Sequence, residues 1–172
     1  MSTEILPLHF ILSRLSLTWP EALWGYQQGF LGWSSLVQLA EERLLKGSDD
    51  ALEIELASLG KEETGRVGEI VRELSKKIPL VAEDEIKKKW LYLVLARVYE
   101  KRADLSNPLG RVEDIYSDFG YPQEVAQFVR YMPVTDSYTP GKHSKEENER
   151  RLFIKWKEYL DTTQRKYPMT KS

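Results

Sequence analysis

The most constraining feature of this sequence is a stretch of 22 residues, 82–103, that contains neither glycine nor proline. Its centre, "WLYLVLARVY", is apolar on almost every side, whereas its start carries the acids "EDE" and the lysines of "IKKK". A buried strand would have a similar composition over about eight residues, but the acidic start and the length favour a helix. We therefore expect a central helix that buries Trp90, Leu91, Val94, Leu95 and Val98.

Start and stop signals predict further helices on both sides of this stretch. Thr18 with Glu21, and Ser144 with Glu147, have the spacing of a capping box, and Ser35 with Gln38 repeats it. Glycine and proline then end each apolar pattern. The expected helices begin near residues 20, 35, 49, 62, 82, 108, 122 and 144, and end near 28, Gly47, Gly60, 77, 103, Gly120, Pro133 and 167.

One of these helices is ambiguous. Leu52, Ile54 and Leu56 alternate as in a strand, but Leu52 and Leu56 also share a helical stripe with Leu59. A cap at Ser48 or Asp49 and the stop at Gly60 favour a helix.

Together these signals predict an all-α fold in a single domain, residues 1–172, with about eight helices stacked as helix hairpins. The loop of greatest length is expected over residues 132–143. In the last helix, 144–167, one apolar stripe should face inward and a charged face should meet water. The stripe contains Leu152, Phe153, Trp156, Tyr159 and Leu160, and the charged face contains Arg150, Arg151, Lys155, Lys157 and Glu158.

The segment "WGYQQGFLGW", residues 24–33, contains three glycines among aromatic residues. A phosphate-binding glycine turn needs a preceding strand, and a Walker turn also needs a following Lys and Ser or Thr. The segment has neither. We expect Gly29 and Gly32 to connect two helices that pack closely around Trp19, Trp24, Phe30 and Trp33.

Composition excludes several classes of site. The chain has no cysteine and only two histidines, His9 and His143, which argues against disulfides and against a zinc site. No segment has the roughly 18 consecutive apolar residues of a membrane span, and the first residues do not resemble a leader peptide. We expect a soluble cytoplasmic protein without metal or cofactor and without membrane contact.

Charge is distributed unevenly along the chain. Residues 1–86 carry 15 acids and 8 bases, a net charge of −7, whereas residues 87–172 carry 12 acids and 17 bases, a net charge of +5. The overall charge of −2 argues against direct nucleic-acid binding. An acidic surface can steer a basic partner, although a charge run is also typical of a plain solvated face. The acids within 41–63 are Glu41, Glu42, Asp49, Asp50, Glu53, Glu55, Glu62 and Glu63.

A second acidic region, "RVEDIYSDFGYPQEVAQFVRYM" (111–132), mixes carboxylates with aromatic rings. Such a mixture suits a protein interface, and it also suits a helix corner with its rings packed inward. Asp114 and Asp118 share a helical face, so a small hydrolase that uses one of them is an alternative. The sequence shows no catalytic motif, and we expect no enzymatic activity and no catalytic residue.

Two segments carry a family resemblance, "LSLTWPEALWGYQQGFLGWSSLVQLAEERL" and "NPLGRVEDIYSDFGYPQEVAQFVRYMP". They resemble a bacterial family described as a domain of unknown function, and such proteins are similar to immunity proteins of polymorphic-toxin and contact-dependent growth inhibition systems. The match covers about residues 15–135. It rests on Leu17, Trp19, Glu21, Gly25, Ile115, Tyr116, Asp118, Phe119, Tyr121, Pro122, Tyr131, Met132 and Pro133.

The resemblance implies an inhibitor that binds a cognate toxin domain, commonly a nuclease, and occludes its active site or substrate cleft. It transfers no binding residue, so the predicted contact residues come from the charge pattern. A structural adaptor for another partner is a further alternative. The predicted partner-binding residues are Asp49, Asp50, Glu53, Glu55, Glu62, Glu63, Glu113, Asp114, Asp118 and Tyr121.

Overall fold

The computed structural model describes residues 4–167 and confirms the all-α prediction, with no strand in that range. Three short 3₁₀ turns lie at Lys61–Glu63, Arg102–Asp104 and Pro140–Lys142. The α-helices of the described range are α1 (Leu8–Leu12), α2 (Trp19–Gln27), α3 (Trp33–Leu45), α4 (Ala51–Ala57), α5 (Thr64–Lys76), α6 (Glu83–Glu100), α7 (Pro108–Asp118), α8 (Gln123–Ala126) and α9 (Lys145–Gln164).

The chain divides into two compact units. Of the described residues, the first unit comprises 4–86 together with Tyr167, and the second comprises Lys87–Lys166. The single-domain organisation stays a prediction, and the ends of the predicted domain, 1–3 and 168–172, lie outside the described residues.

In the first unit, α2 packs against α5, and α3 packs against α4. The start of α2 forms as predicted, because Glu21 accepts hydrogen bonds from the Thr18 backbone N–H at 2.9 Å and from the Thr18 hydroxyl at 3.0 Å. The apolar face of α5 is buried. Its members are Val67, Ile70, Val71 and Leu74.

The glycine segment connects two helices, as predicted. Gly29 has φ 86°, and Gly32 precedes the first residue of α3. Gly25 lies buried within α2, where its carbonyl accepts the Phe30 N–H at 2.8 Å. The Trp24 and Phe30 rings stack with their centroids 6.1 Å apart. Close packing is therefore the role of this segment in the fold.

Several boundaries differ from the sequence-based expectations. The segment that could have been a strand is helix α4, but its cap is Asp50, whose carboxylate accepts the N–H groups of Leu52 at 2.8 Å and Glu53 at 3.1 Å. The predicted cap at Ser35 is wrong, because α3 begins at Trp33 and Ser35 lies buried in its first turn. Helix α1, a five-residue segment after Pro7, was not predicted.

The second unit is built around an aromatic core. Trp90 and Leu91 of α6 are buried, as is Trp156 of α9. The Trp156 ring stacks on Phe128 at a centroid distance of 6.1 Å and meets the edge of Tyr99 at 5.1 Å. The capping box of α9 forms as predicted, with the Glu147 N–H donating to the Ser144 hydroxyl oxygen at 3.1 Å.

Candidate functional site

The acidic segment, defined as residues 41–63, contains two acids that serve the fold. The carboxylate of Glu53 is almost fully buried, with 4% of the residue exposed. It accepts hydrogen bonds from Trp19 Nε1 at 3.2 Å, Arg43 Nε at 2.6 Å and Ser48 Oγ at 2.6 Å. Glu53 therefore joins α2, α3 and α4 from within the first unit.

Asp50 is likewise engaged within the molecule. Beyond capping α4, its carboxylate pairs with Lys77 Nζ at 2.7 Å. The Lys77 ammonium, together with the capping N–H groups, lowers the pKa of Asp50. Sequence spacing gives no hint of this contact, because the two residues are 27 positions apart.

The remaining predicted acids of the segment lie at the surface. Arg66 pairs with Glu55, and its other nitrogen lies 3.4 Å from Glu63. Asp49 and Glu62 are exposed and form no ion pair within residues 4–167. Among the predicted contact residues of this segment, Asp49 and Glu62 are thus the ones whose carboxylates are exposed and unpaired within the described chain.

Exposed apolar side chains accompany these charges. Leu45, the last residue of α3, is 84% exposed, and Ile54 of α4 is also exposed. Leu45 follows Glu41 by four residues of α3, so the two side chains share one helix face. Glu41 is exposed and, like Asp49, has no ion pair with a described residue. Apolar side chains beside uncompensated charge are typical of a protein-binding surface.

The second predicted region is the α7–α8 corner, defined as residues 113–124. Its Glu113 is engaged internally by Arg130, which donates through Nε at 2.7 Å and Nη2 at 3.0 Å. This two-bond contact raises the pKa of Arg130 and holds α7 to the chain that follows α8.

Asp114 and Asp118, by contrast, are exposed and form no ion pair with any described residue. Partial desolvation, with a smaller contribution from the Asp114 charge, raises the pKa of Asp118. Tyr121, three residues after Asp118, is 63% exposed and adopts φ 60°, and its ring meets that of Tyr116 at a centroid distance of 5.3 Å. The corner therefore presents two carboxylates and a ring, and an external cation would relieve the repulsion between the carboxylates.

A concave site that sequence reasoning missed lies in the second unit. The α9 pocket, defined by residues 126–140 and the facing side of α9, has a volume of about 470 Å³. The prediction that Arg151 and Lys155 face water is wrong, since their side chains are only 19% and 29% exposed and reach Asp136 across the pocket. Their spacing of four residues on one helix was the available signal.

The carboxylates proposed for a hydrolase do not lie in this pocket. Asp114 borders a different depression of about 400 Å³, with Asn107 and Arg111 among its other neighbours. Among residues 4–167, no group of three or more histidine or acidic side chains is arranged to hold a metal ion. No helix in that range is both long enough and apolar enough to cross a membrane.

Comparison with known protein families identifies one to which most of the chain corresponds. The model of a family described as an uncharacterized protein conserved in bacteria matches residues 8–164. That range extends past the two motif segments and includes α9 to its last residue. No curated protein and no solved structure matches.

Proposed function

The chain belongs to this bacterial family, DUF2247, and from that premise we propose that it is an immunity protein, which binds a cognate secreted toxin domain and neutralises it. The partner we propose is a basic nuclease domain of the contact-dependent growth inhibition type. Inhibition follows from occlusion of the active site or substrate cleft, in the cytoplasm of the producing cell, and requires no catalytic turnover.

The observation that carries the proposal is the uncompensated acidic surface of the first unit. Glu41, Asp49 and Glu62 have no internal cation among the described residues, and exposed Leu45 and Ile54 lie in the same segment. A nuclease must present a basic groove to its substrate, so carboxylates can compete for that groove while apolar side chains add contact area. The resemblance of the two motif segments to immunity proteins points to the same role.

The α7–α8 corner supplies a second contact of the same chemistry. Asp114 and Asp118 lack an internal counter-charge within the described chain, and Tyr121 of the same corner is exposed. Tyrosine is enriched where protein interfaces concentrate their binding energy. An arginine or lysine of the toxin would therefore be held by the carboxylates while its stem packs on the ring.

Co-expression with the toxin domain encoded immediately upstream tests the proposal. We expect growth to be restored and the two proteins to co-purify. Continued growth arrest together with a failure to co-purify would remove the idea.

Charge reversal tests the binding surface. The double variant Asp49→Lys/Glu62→Lys should weaken toxin binding by about tenfold or more, chiefly through slower association. Both side chains are exposed, so circular dichroism should show an unchanged fold. The control is Glu69→Lys/Glu73→Lys, on exposed positions of α5 outside the acidic segment. It changes the net charge by the same amount and should lose much less affinity for the toxin. Equal losses would mean that net charge, and not this surface, governs binding.

A further inference from the structure

The α9 pocket holds a carboxylate between two cations. Asp136 Oδ2 lies 2.6 Å from Arg151 Nη2 and 3.7 Å from Lys155 Nζ. The other oxygen of Asp136 accepts the Tyr138 backbone N–H at 3.0 Å. Two positive charges thus meet one negative charge, in a geometry that is ready to coordinate anionic oxygen.

The arginine of this site is held in place by an aromatic stack. The Arg151 guanidinium lies 4.2 Å from the centroid of the Tyr138 ring, and His143 stacks on that ring at 4.6 Å. The Tyr138 hydroxyl donates to Asn148 Oδ1 at 2.5 Å, and Asn148 Nδ2 donates to the Pro140 carbonyl at 3.2 Å. Arg151 is therefore pre-organised, which lowers the entropy that a ligand must remove on binding.

Part of the remaining lining is apolar, and the pocket has a size suited to a small molecule. Its apolar lining includes Val129, Met132, Val134 and Leu152, and its volume of about 470 Å³ falls within the usual range for small-molecule sites. Beside the apolar wall, Tyr131 is 93% exposed and adopts φ 67°. Strained backbone of this kind concentrates at ligand sites.

The ionised side chains of the lining are unequal in number. The four cations are Arg130, Lys145, Arg151 and Lys155, and the two acids are Asp136 and Glu149. Arg130 is neutralised by Glu113, but Lys145 has no ion pair within the described chain. Lys155 also lies 4.0 Å from Glu158, so Lys145 is the cation of the lining that is left without a counter-charge among the described residues.

We propose that this pocket binds a small amphiphilic anion, with one carboxylate or phosphate group on an apolar body. Arg151 and Lys155 hold the anionic group, which displaces or joins the Asp136 carboxylate, and the apolar body lies against Met132, Val134 and Leu152. None of the residues that line this pocket is among those proposed for toxin binding, so either assignment can fail without the other.

Four probes of equal chain length test the ligand chemistry on the full chain by isothermal titration calorimetry. Octanoate and octyl phosphate should bind, whereas octanol and octylammonium should bind about tenfold more weakly or worse. The tighter of the two anions identifies the preferred head group. Equal binding of octylammonium and octanoate, or no binding by either anion at concentrations up to about 10 mM, would overturn the proposal.

Two substitutions with opposite expected effects, Lys155→Gln and Asp136→Asn, locate the site, and Lys157→Gln is the control. Lys155→Gln should weaken octanoate binding about tenfold, and Lys157→Gln should leave it unchanged, because Lys157 lies on the same helix but pairs with Asp161 at 2.5 Å, away from the pocket lining. Asp136→Asn should strengthen binding several-fold, since it removes the competing charge and keeps an oxygen for the Tyr138 N–H. A purely structural salt bridge would give no such gain, so unchanged or weaker binding in Asp136→Asn would contradict the inference.

Discussion

Glu53 lies in the most acidic part of the chain, yet its carboxylate is inside the fold. It accepts hydrogen bonds from Trp19, Arg43 and Ser48, and the Arg43 guanidinium also lies over the Trp19 ring, 5.7 Å from its centroid. The charge of Glu53 thus organises three helices from inside the first unit.

Replacement of this residue should destabilise the protein. Glu53→Ala would leave the buried Trp19 Nε1–H without an acceptor and Arg43 without its counter-charge. We expect a loss of about 2 to 3 kcal/mol in the free energy of unfolding, measured by chemical denaturation. Glu41→Ala, an exposed acid of the same segment, is the control and should change stability by less than about 0.5 kcal/mol. Equal effects of the two substitutions would contradict the internal role of Glu53.

Replacement of Asp118, in contrast to that of Glu53, should stabilise the protein. Asp118 is the last residue of α7, where a negative charge opposes the helix dipole, and Asp114 lies one turn away. Asp118→Asn should therefore raise the free energy of unfolding at pH 7 by about 0.5 kcal/mol.

The pH dependence gives this second prediction its sign. Because the folded pKa of Asp118 is raised, the folded wild-type chain binds this proton more tightly than the unfolded chain does. The difference in free energy of unfolding between the wild-type chain and the variant therefore disappears as pH falls through the folded pKa. Denaturation at pH 7 and near pH 3 should show the gain only at pH 7. A gain of equal size at both pH values would argue against a charge effect.

At the scale of elements, helix termination depends on backbone conformation as much as on hydrophobic pattern. Gly47 follows α3 with φ 103°, and the next residue's N–H donates to the Arg43 carbonyl at 3.1 Å, which closes the helix end. A side chain there meets no neighbouring atom within 4 Å, so any penalty comes from the backbone alone.

Two glycine substitutions test this. Gly47→Ala should destabilise the fold by about 1 to 2 kcal/mol, because alanine does not readily adopt positive φ. Gly65→Ala, in the first turn of α5 with equally open space, should instead stabilise it by up to about 1 kcal/mol. Thermal unfolding of both variants measures the contrast, and a shift of the same sign in both would refute the backbone explanation.

The sequence predicted those elements whose signals are local. Thr18 with Glu21 and Ser144 with Glu147 lie within single turns, and both starts form within a residue of the expected position. The prediction of a helix cap at Ser35 was wrong because the spacing between Ser35 and Gln38 also occurs inside a helix. Helix α1 has only five residues, too few to show a period.

The pocket could not be predicted for a different reason. It depends on a contact between Asp136 and Arg151, which are 15 positions apart across a loop. No spacing rule specifies where a loop carboxylate will lie. For the same reason the sequence could not predict the residues within the chain that bind Glu53 and Glu113. Both were therefore predicted to contact an external protein. That assignment stays a prediction for all ten residues.

For the whole molecule, the charge division and the structural division coincide. Residues 1–86 carry −7, whereas residues 87–166, which form the second unit, carry 12 acids and 16 bases, a net charge of +4. Each unit therefore presents its own electrostatic character, and the overall charge of −2 describes neither.

A binding role makes a stoichiometric prediction for the intact protein. If the chain neutralises its toxin by occlusion, residual toxin activity should fall linearly with added protein at concentrations above the Kd and reach zero at a fixed molar ratio. The endpoint should not depend on incubation time. The Asp49→Lys/Glu62→Lys double variant should give a shallow curve instead. Progressive inactivation at substoichiometric amounts would indicate catalysis and contradict occlusion.

The two tyrosines with positive φ affect how the whole surface should be mapped. Tyr121 and Tyr131 adopt φ 60° and 67°, so an alanine scan would combine the loss of each ring with a backbone change, and glycine would in addition loosen the unfolded chain. Asparagine tolerates this left-handed conformation better than other residues with a side chain. Substitution by asparagine therefore isolates the contribution of the aromatic ring to any partner or ligand.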